Sequence, residues 1–238
     1  MRIFVASIIC KIKRMNFQLK FNVNENLYLK DPENSEIGKS IVKNAIELIF
    51  EMGFEQFTFK KLALKINSTE ATVYRYFASK YKLLTYILNW YWSYLECIAE
   101  LKTSEIKNPP EKLEKILEII THHNNSCDEV EDYDISKLHL IVISESSKSY
   151  LVKEVDEISK EMVFDPLESV CRYVSEIISM VKPDFPYPLS LASTLLETAH
   201  DQHFFSEHLP KLTDYQKKYK PETYVFGYLK YITFNLIK

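Results

Sequence analysis

Glycine is scarce in this 238-residue chain, which holds only Gly38, Gly53 and Gly227. So few glycines argue against phosphate-cradling loops and dinucleotide fingerprints, and they suit helices joined by short polar turns. There is no C-x-x-C pair among the four cysteines, Cys10, Cys97, Cys127 and Cys171. Scattered in this way they read as reduced thiols of a cytoplasmic protein, not as a disulfide framework or a zinc site. Long hydrophobic runs are missing as well. The longest early one, Ile3 to Cys10, is too short for a bilayer and leads into Lys11, Lys13 and Arg14 without a small-residue cleavage site. No membrane partner is expected. Residues 1–14 fit no later pattern, which leaves Met1 and Met15 as alternative starts. No internal repeat or low-complexity tract occurs.

The composition, 46% hydrophobic and 26% charged, is that of a globular chain able to bury a core. Net charge is only −3, but it is unevenly spread. Residues 1–34 carry six Lys/Arg against three acids, and residues 35–82 carry eight against five. The rest of the chain holds sixteen against twenty-five. A basic front and an acidic rear suit a molecule that turns one end toward a polyanion.

Hydrophobic periodicity divides the chain. Phe17, Leu19, Phe21 and Val23 alternate with polar residues, but no second strand pattern offers a sheet. Residues 16–30 therefore read as an extended arm lying on the first helices, ended by Asp31-Pro32. From Ser35, a plausible N-cap, Ile37, Ile41, Val42, Ala45, Ile46 and Ile49 mark one helical face, with Gly53 as C-cap. A short helix is predicted over Thr58–Ile66. Asn67, which tolerates the left-handed conformation, makes the turn, and Thr69 caps the helix TEATVYRYF. Ser79 caps a longer helix striped by Leu83, Leu84, Ile87, Leu88, Tyr91, Tyr94, Leu95 and Ile98. Asn108-Pro-Pro-Glu111 opens a helix through Ile120. An acidic loop, Asp128 to Asp134, precedes a helix over Ile135–Ser147. A helical stretch from about Tyr150 to Val181 carries Pro166, a kink or a new start with Asp165 as cap. Helices through about His208, and from Pro221 to the end, complete the chain.

Three short helices in about 45 residues, with a tight middle turn, form a helix-turn-helix pattern. Here the residues go beyond the generic pattern. The segment F57-T-F-K-K-L-A-L-K-I-N-S-T-E-A-T-V-Y-R-Y-F-A-S-K80 closely resembles the DNA-binding segment of the TetR family of bacterial regulators. The likeness lies in the Thr opening the second helix, the Leu-Ala pair, the T-V-Y-x-Y-F helix and the Ser-Lys that starts helix four. It covers residues 35–95 well; beyond them only helix number and length agree. Two residues depart from the family pattern, Asn67 for the turn glycine and Ser68 for the apolar residue after it.

The resemblance implies double-stranded operator DNA as partner and assigns roles. Thr58 would anchor helix two on a phosphate through its hydroxyl and the helix N-terminus. Lys60 would reach a phosphate or base edge. Thr69, Glu70, Ala71 and Thr72 form the exposed first turn that meets bases in the major groove. Glu70 could accept from cytosine N4 or serve only the helix N-terminus. Tyr74 and Tyr76 could bring hydroxyls to phosphates, with Tyr76 alternatively in the core beside Val73 and Phe77. Arg75 could serve phosphate or guanine, and Lys80 would contact the backbone. Lys61 and Lys65 read as a solvated face.

In the acidic rear, Trp90, Tyr91, Trp92 and Tyr94 face segments carrying Tyr133, His139, Cys171 and Tyr173. In the resembled family such helices enclose a small-molecule effector, though for any one residue plain core packing is the simpler reading. Glu197, His200 and His203 share a helical face, and E-x-x-H is a unit of di-iron bundles. A second E-x-x-H is missing, since Glu118 and His122 are four apart, so no metal or other cofactor is called for. The last helix, with Tyr224, Phe226, Tyr228, Leu229, Tyr231, Phe234 and Ile237, is apolar on more than one face. Pairing through the last two helices with a second copy would bury it.

The expected architecture is all-α. An arm (1–34) leads into a three-helix DNA-binding head (35–82), joined by the fourth helix to a helical ligand-binding and dimerisation domain (83–238). The expected function is a ligand-responsive repressor that binds a palindromic operator as a homodimer. A helical metal-binding enzyme and a DNA-binding regulator without a small-molecule ligand are the alternatives.

Overall fold

The structure, a computed structural model, describes residues 21, 23–122, 129–130, 133–150, 153 and 159–238. The expectations for residues 1–20, the middle of the acidic loop, and most of 151–158 lie outside these residues.

Ten α-helices are described: α1 (Glu36–Gln56), α2 (Phe59–Lys65), α3 (Glu70–Tyr74), α4 (Lys80–Thr103), α5 (Pro109–Ile120), α6 (Ile135–Glu145), α7 (Ser147–Tyr150), α8 (Asp165–Val181), α9 (Pro188–His208) and α10 (Pro221–Leu236). Local capping chemistry starts many of them. Side-chain oxygens of Ser35, Thr58, Thr69, Ser79, Asn108 and Asp134 accept from the backbone N–H three residues on, satisfying donors that a helix leaves open. The fourth helix runs unbroken through the boundary expected at 82/83. It forms the spine against which α5, α6 and α8 pack, while α10 lies on α9 and α5.

Four expectations need correction. The described part of the arm lies only partly on the first helices, where the Pro32–Asn34 turn packs on α1 and the Leu29 N–H bonds the Tyr76 carbonyl. It forms a 3-10 turn at Glu25–Leu27 and packs on α4, with the Phe21 ring set edge-on to Trp90 at 5.2 Å and Tyr28 edge-on to Tyr86. The ends of the acidic loop pair as a minimal antiparallel hairpin, with Glu129 opposite Asp134 and Val130 opposite Tyr133. Pro166 marks a new helix start, but Asp165 is its first residue and Phe164 sits at the cap without a side-chain bond. Gly53 has φ of +76°, a left-handed kink, and one further turn follows it before Phe57.

The core is continuous from head to rear and rich in rings. Trp90 stacks on Tyr94 at 5.9 Å and meets Tyr133 edge-on at 4.9 Å; Tyr86 meets Phe77 at 5.4 Å. Since α10 packs through Val225, Leu229 and Thr233, only one of its faces is buried within the chain. Tyr228, Tyr231 and Leu236 remain exposed.

Candidate nucleic-acid interface

The head is built around Leu62, Ala63, Val73 and Phe77, all buried. Apolar residues at these spacings give α2 and α3 one inward face each. The turn between them is tight because Asn67 takes φ of +51° and the Ser68 N–H donates to the Ala63 carbonyl at 2.8 Å. Asn67 thus does the work expected of a glycine.

With Val73 inward, the first turn of α3 faces out. Thr69, Glu70 and Ala71 are exposed and Thr72 is half-exposed. The Thr69 hydroxyl accepts from the Thr72 N–H at 3.2 Å and shares a hydrogen bond with the Thr72 hydroxyl at 3.1 Å. The helix is therefore held at the end that would meet bases. Thr58 is exposed and caps α2, accepting from the Lys61 N–H at 3.3 Å, which leaves its own proton to donate outward. Tyr74 lays its ring against Phe59 at 4.9 Å, bringing the end of α3 to the start of α2 while the side chain stays half-exposed. Lys60, Glu70 and Arg75 are exposed, and among the described residues none forms an ion pair. Lys61 donates to the Gln56 carbonyl and Lys65 pairs with Glu51, so both serve the outer face of α1.

Two expected contact residues are placed elsewhere. Tyr76 is 1% exposed, and its hydroxyl lies 2.8 Å from Oγ of Ser35. Its side chain is buried in the core, the alternative that its position beside Val73 and Phe77 left open. Its place follows from the pattern Val73, Tyr76, Phe77, spaced three and four apart on the inward face. Lys80 points back into the head. Its ammonium donates to the carbonyls of Phe54 (3.1 Å), Glu55 (3.3 Å) and Phe57 (3.4 Å) and rests 4.5 Å from the Phe54 ring centre. It satisfies the open C-terminal carbonyls of α1.

The sequence reading missed the arm's hold on the reading segment. The Leu29 N–H donates to the Tyr76 carbonyl at 2.7 Å, and Lys30 sits over the Tyr76 ring at 5.1 Å. No local signal marks this pairing of residues 47 apart in sequence.

The Glu197, His200 and His203 side chains part company. Glu197 bonds Tyr150, whereas His200 and His203 turn into a buried cluster with His122, His139 and Tyr91. Among the described residues no three His, Cys, Asp or Glu side chains are placed to hold a metal ion. Burial pushes His122 down to about 3 and His200 to about 4, and it also lowers His139 and His203. These imidazoles are neutral at pH 7. Among the described residues, no helix is long and apolar enough to cross a membrane.

Residues 41–87 match the family model of the bacterial regulatory proteins of the TetR family. No curated protein matches the chain closely enough to inform it. Among solved structures, AibR in complex with isovaleryl coenzyme A and operator DNA is 17% identical, with 80% of this chain and 95% of that one covered and a TM-score of 0.56. The fatty acid degradation regulator FadR from Bacillus halodurans is also 17% identical, with 87% and 96% covered and a TM-score of 0.56. A TetR transcriptional regulator from Legionella pneumophila is 17% identical, with 86% and 98% covered and a TM-score of 0.54. Residues 41–87 of this chain are thus similar to the model of the bacterial TetR regulatory family, and the chain has the all-helical fold of these solved regulators.

Proposed function

We propose that the chain is a ligand-responsive transcriptional repressor that binds a palindromic operator as a homodimer. The observation that carries this reading is the first turn of α3, presented outward on a buried Val73–Phe77 footing, with Thr58, Lys60, Tyr74 and Arg75 around it. A helix tip of this kind reads base edges in a major groove, and hydroxyls and cations beside it hold phosphates. The basic balance of residues 35–82 supports the same face. Pairing through α9 and α10 is supported by the exposed Tyr228, Tyr231 and Leu236, whose burial against the same face of a second copy would set two heads side by side. An effector in the rear domain is supported by AibR, a protein of the same fold determined with both an acyl coenzyme A and operator DNA. This makes the chain a cytoplasmic regulator and not an enzyme, with no cofactor of its own.

The test is the salt dependence of binding to a duplex selected from a random pool. Each phosphate neutralised contributes about −0.9 to the log–log slope. A dimer touching several phosphates per head should lose affinity steeply between 50 and 200 mM salt, by roughly a hundredfold or more. An affinity flat across that range contradicts the reading.

A further inference from the structure

Phe54, at the end of α1, is gripped from two sides. Its carbonyl accepts from Lys80 at the start of α4, and its N–H donates to the Glu145 carboxylate at the end of α6, at 3.3 Å. Glu145 is 6% exposed and pairs with Lys148 at 2.7 Å, while Lys148 also reaches Glu55 at 3.2 Å. Nearer the start of both helices, Lys137 of α6 pairs with Glu47 of α1 at 2.5 Å and sits over the Phe50 ring at 5.7 Å. The two attachments are separated by about 12 Å along α6 and about 10 Å along α1, so the helices run side by side in the same sense. One attachment would let α1 pivot; two of matched spacing fix its direction. The head is therefore attached to the rear domain by α6 as well as by the covalent link through α4.

The opposite face of α6 carries His139. Lys137 and Glu145 lie within about 80° of each other around the helix, and His139 is at least about 120° from either. His139 enters the buried cluster, its Nδ1 2.9 Å from the Tyr91 hydroxyl and its ring 3.7 Å from that of His122. Its Nε2 and the Nδ1 of His200 have no hydrogen-bond partner among the described residues. One helix thus touches both the polar heart of the rear domain and the head.

We infer that Glu145 and Lys137 are positioning residues for DNA recognition: through Phe54 and Glu47 they fix the angle of the head, and so the separation of the two half-sites a dimer accepts. Glu70 and Thr72 on α3 would read the bases; α6 would set where the two readers stand. This rests on the reading of the chain as a dimeric operator binder.

Its test is selection from a duplex pool with randomised half-sites and randomised spacing between them, using the full chain. Wild type should yield one motif at one narrow spacing. Glu145→Leu removes the acceptor for the Phe54 N–H and should broaden or shift the spacing, with the bases within each half-site unchanged and affinity for the wild-type duplex down about tenfold or more. Glu145→Gln keeps an acceptor oxygen and should restore the narrow spacing. Lys137→Met, on a half-exposed side chain with little influence on folding, should broaden it in the same way, and it decides the matter if Glu145→Leu does not fold. A spacing equally narrow in Lys137→Met and in folded Glu145→Leu overturns the inference, as does lowered affinity at every spacing alike. A wild-type protein that selects no motif overturns the operator-binding reading instead.

Discussion

The hydroxyls of Ser35 and Tyr76 lie 2.8 Å apart, joining the cap of the first head helix to the last turn of the reading segment. Ser35 serves two partners at once, since its oxygen also accepts from the Gly38 N–H. Tyr76→Phe keeps the ring and removes the bond. It should lower unfolding free energy by about 1 kcal/mol, measured by urea titration, with base preference in operator binding intact. If affinity for every duplex falls while stability is unchanged, Tyr76 reaches a phosphate after all.

Gly38 is held by a close approach. A Cβ there would stand 2.3 Å from the Pro32 carbonyl oxygen and 2.6 Å from its Cα, backbone atoms that cannot swing aside. Gly38→Ala should displace the Pro32–Asn34 turn and cost on the order of 1–3 kcal/mol. An unchanged urea midpoint would show that the arm is not seated on α1 in this way.

Stability should fall on mild acidification because of the histidine cluster. In the unfolded chain these imidazoles take up protons near pH 6.5, whereas in the fold His200 does so near 4 and His122 near 3. Between those values the unfolded state binds more protons, so stability declines as pH drops. Above about 6.5, where both states are neutral, none of this stability is lost. By about pH 4 His200 alone should have cost on the order of 3 kcal/mol. Thermal unfolding followed from pH 7.5 to 4.5 should show this loss, reduced in His200→Phe. A midpoint constant over that interval would mean that the cluster is hydrated.

The bare face of α10 gives a prediction about assembly. Tyr231 is 70% exposed although it lies on a helix whose other face is core. Tyr231→Glu should weaken self-association at least about tenfold, as measured by sedimentation, with helix content unchanged. A dimer of undiminished strength would move the interface elsewhere.

Much of the head is legible in the sequence because its signals are local. Ser35, Thr58, Thr69 and Ser79 announce helix starts within three residues of the bonds they make, and Val73 with Phe77 declares the inward face. Tyr76 is legible only as an alternative, core by the same spacing or phosphate contact by its hydroxyl, and its burial favours the first. Lys80 is different in kind. A cation at a helix start beside a reading head suggests a phosphate, and only the fold brings the Phe54, Glu55 and Phe57 carbonyls within its reach. Glu145 meets Phe54 across 91 residues, and the four buried histidines come from three separate segments. Such contacts depend on how helices pack, which no periodicity encodes. The exposure of one face of α10 was likewise only half legible, since an apolar helix shows that it is covered without showing by what.

The account stands or falls on the first turn of α3 as the reading surface. Its direct measurement is selection from a randomised duplex pool, run in parallel for wild type, Glu70→Gln and Thr72→Ala. Both side chains project from the turn that Thr69 caps, and neither is needed by the core. Each variant should change the preferred base at one or two positions per half-site, with about 1–3 kcal/mol of discrimination lost where the contact is direct. Identical preferences in all three proteins, each folded and each binding DNA, would contradict the placement of the reading surface.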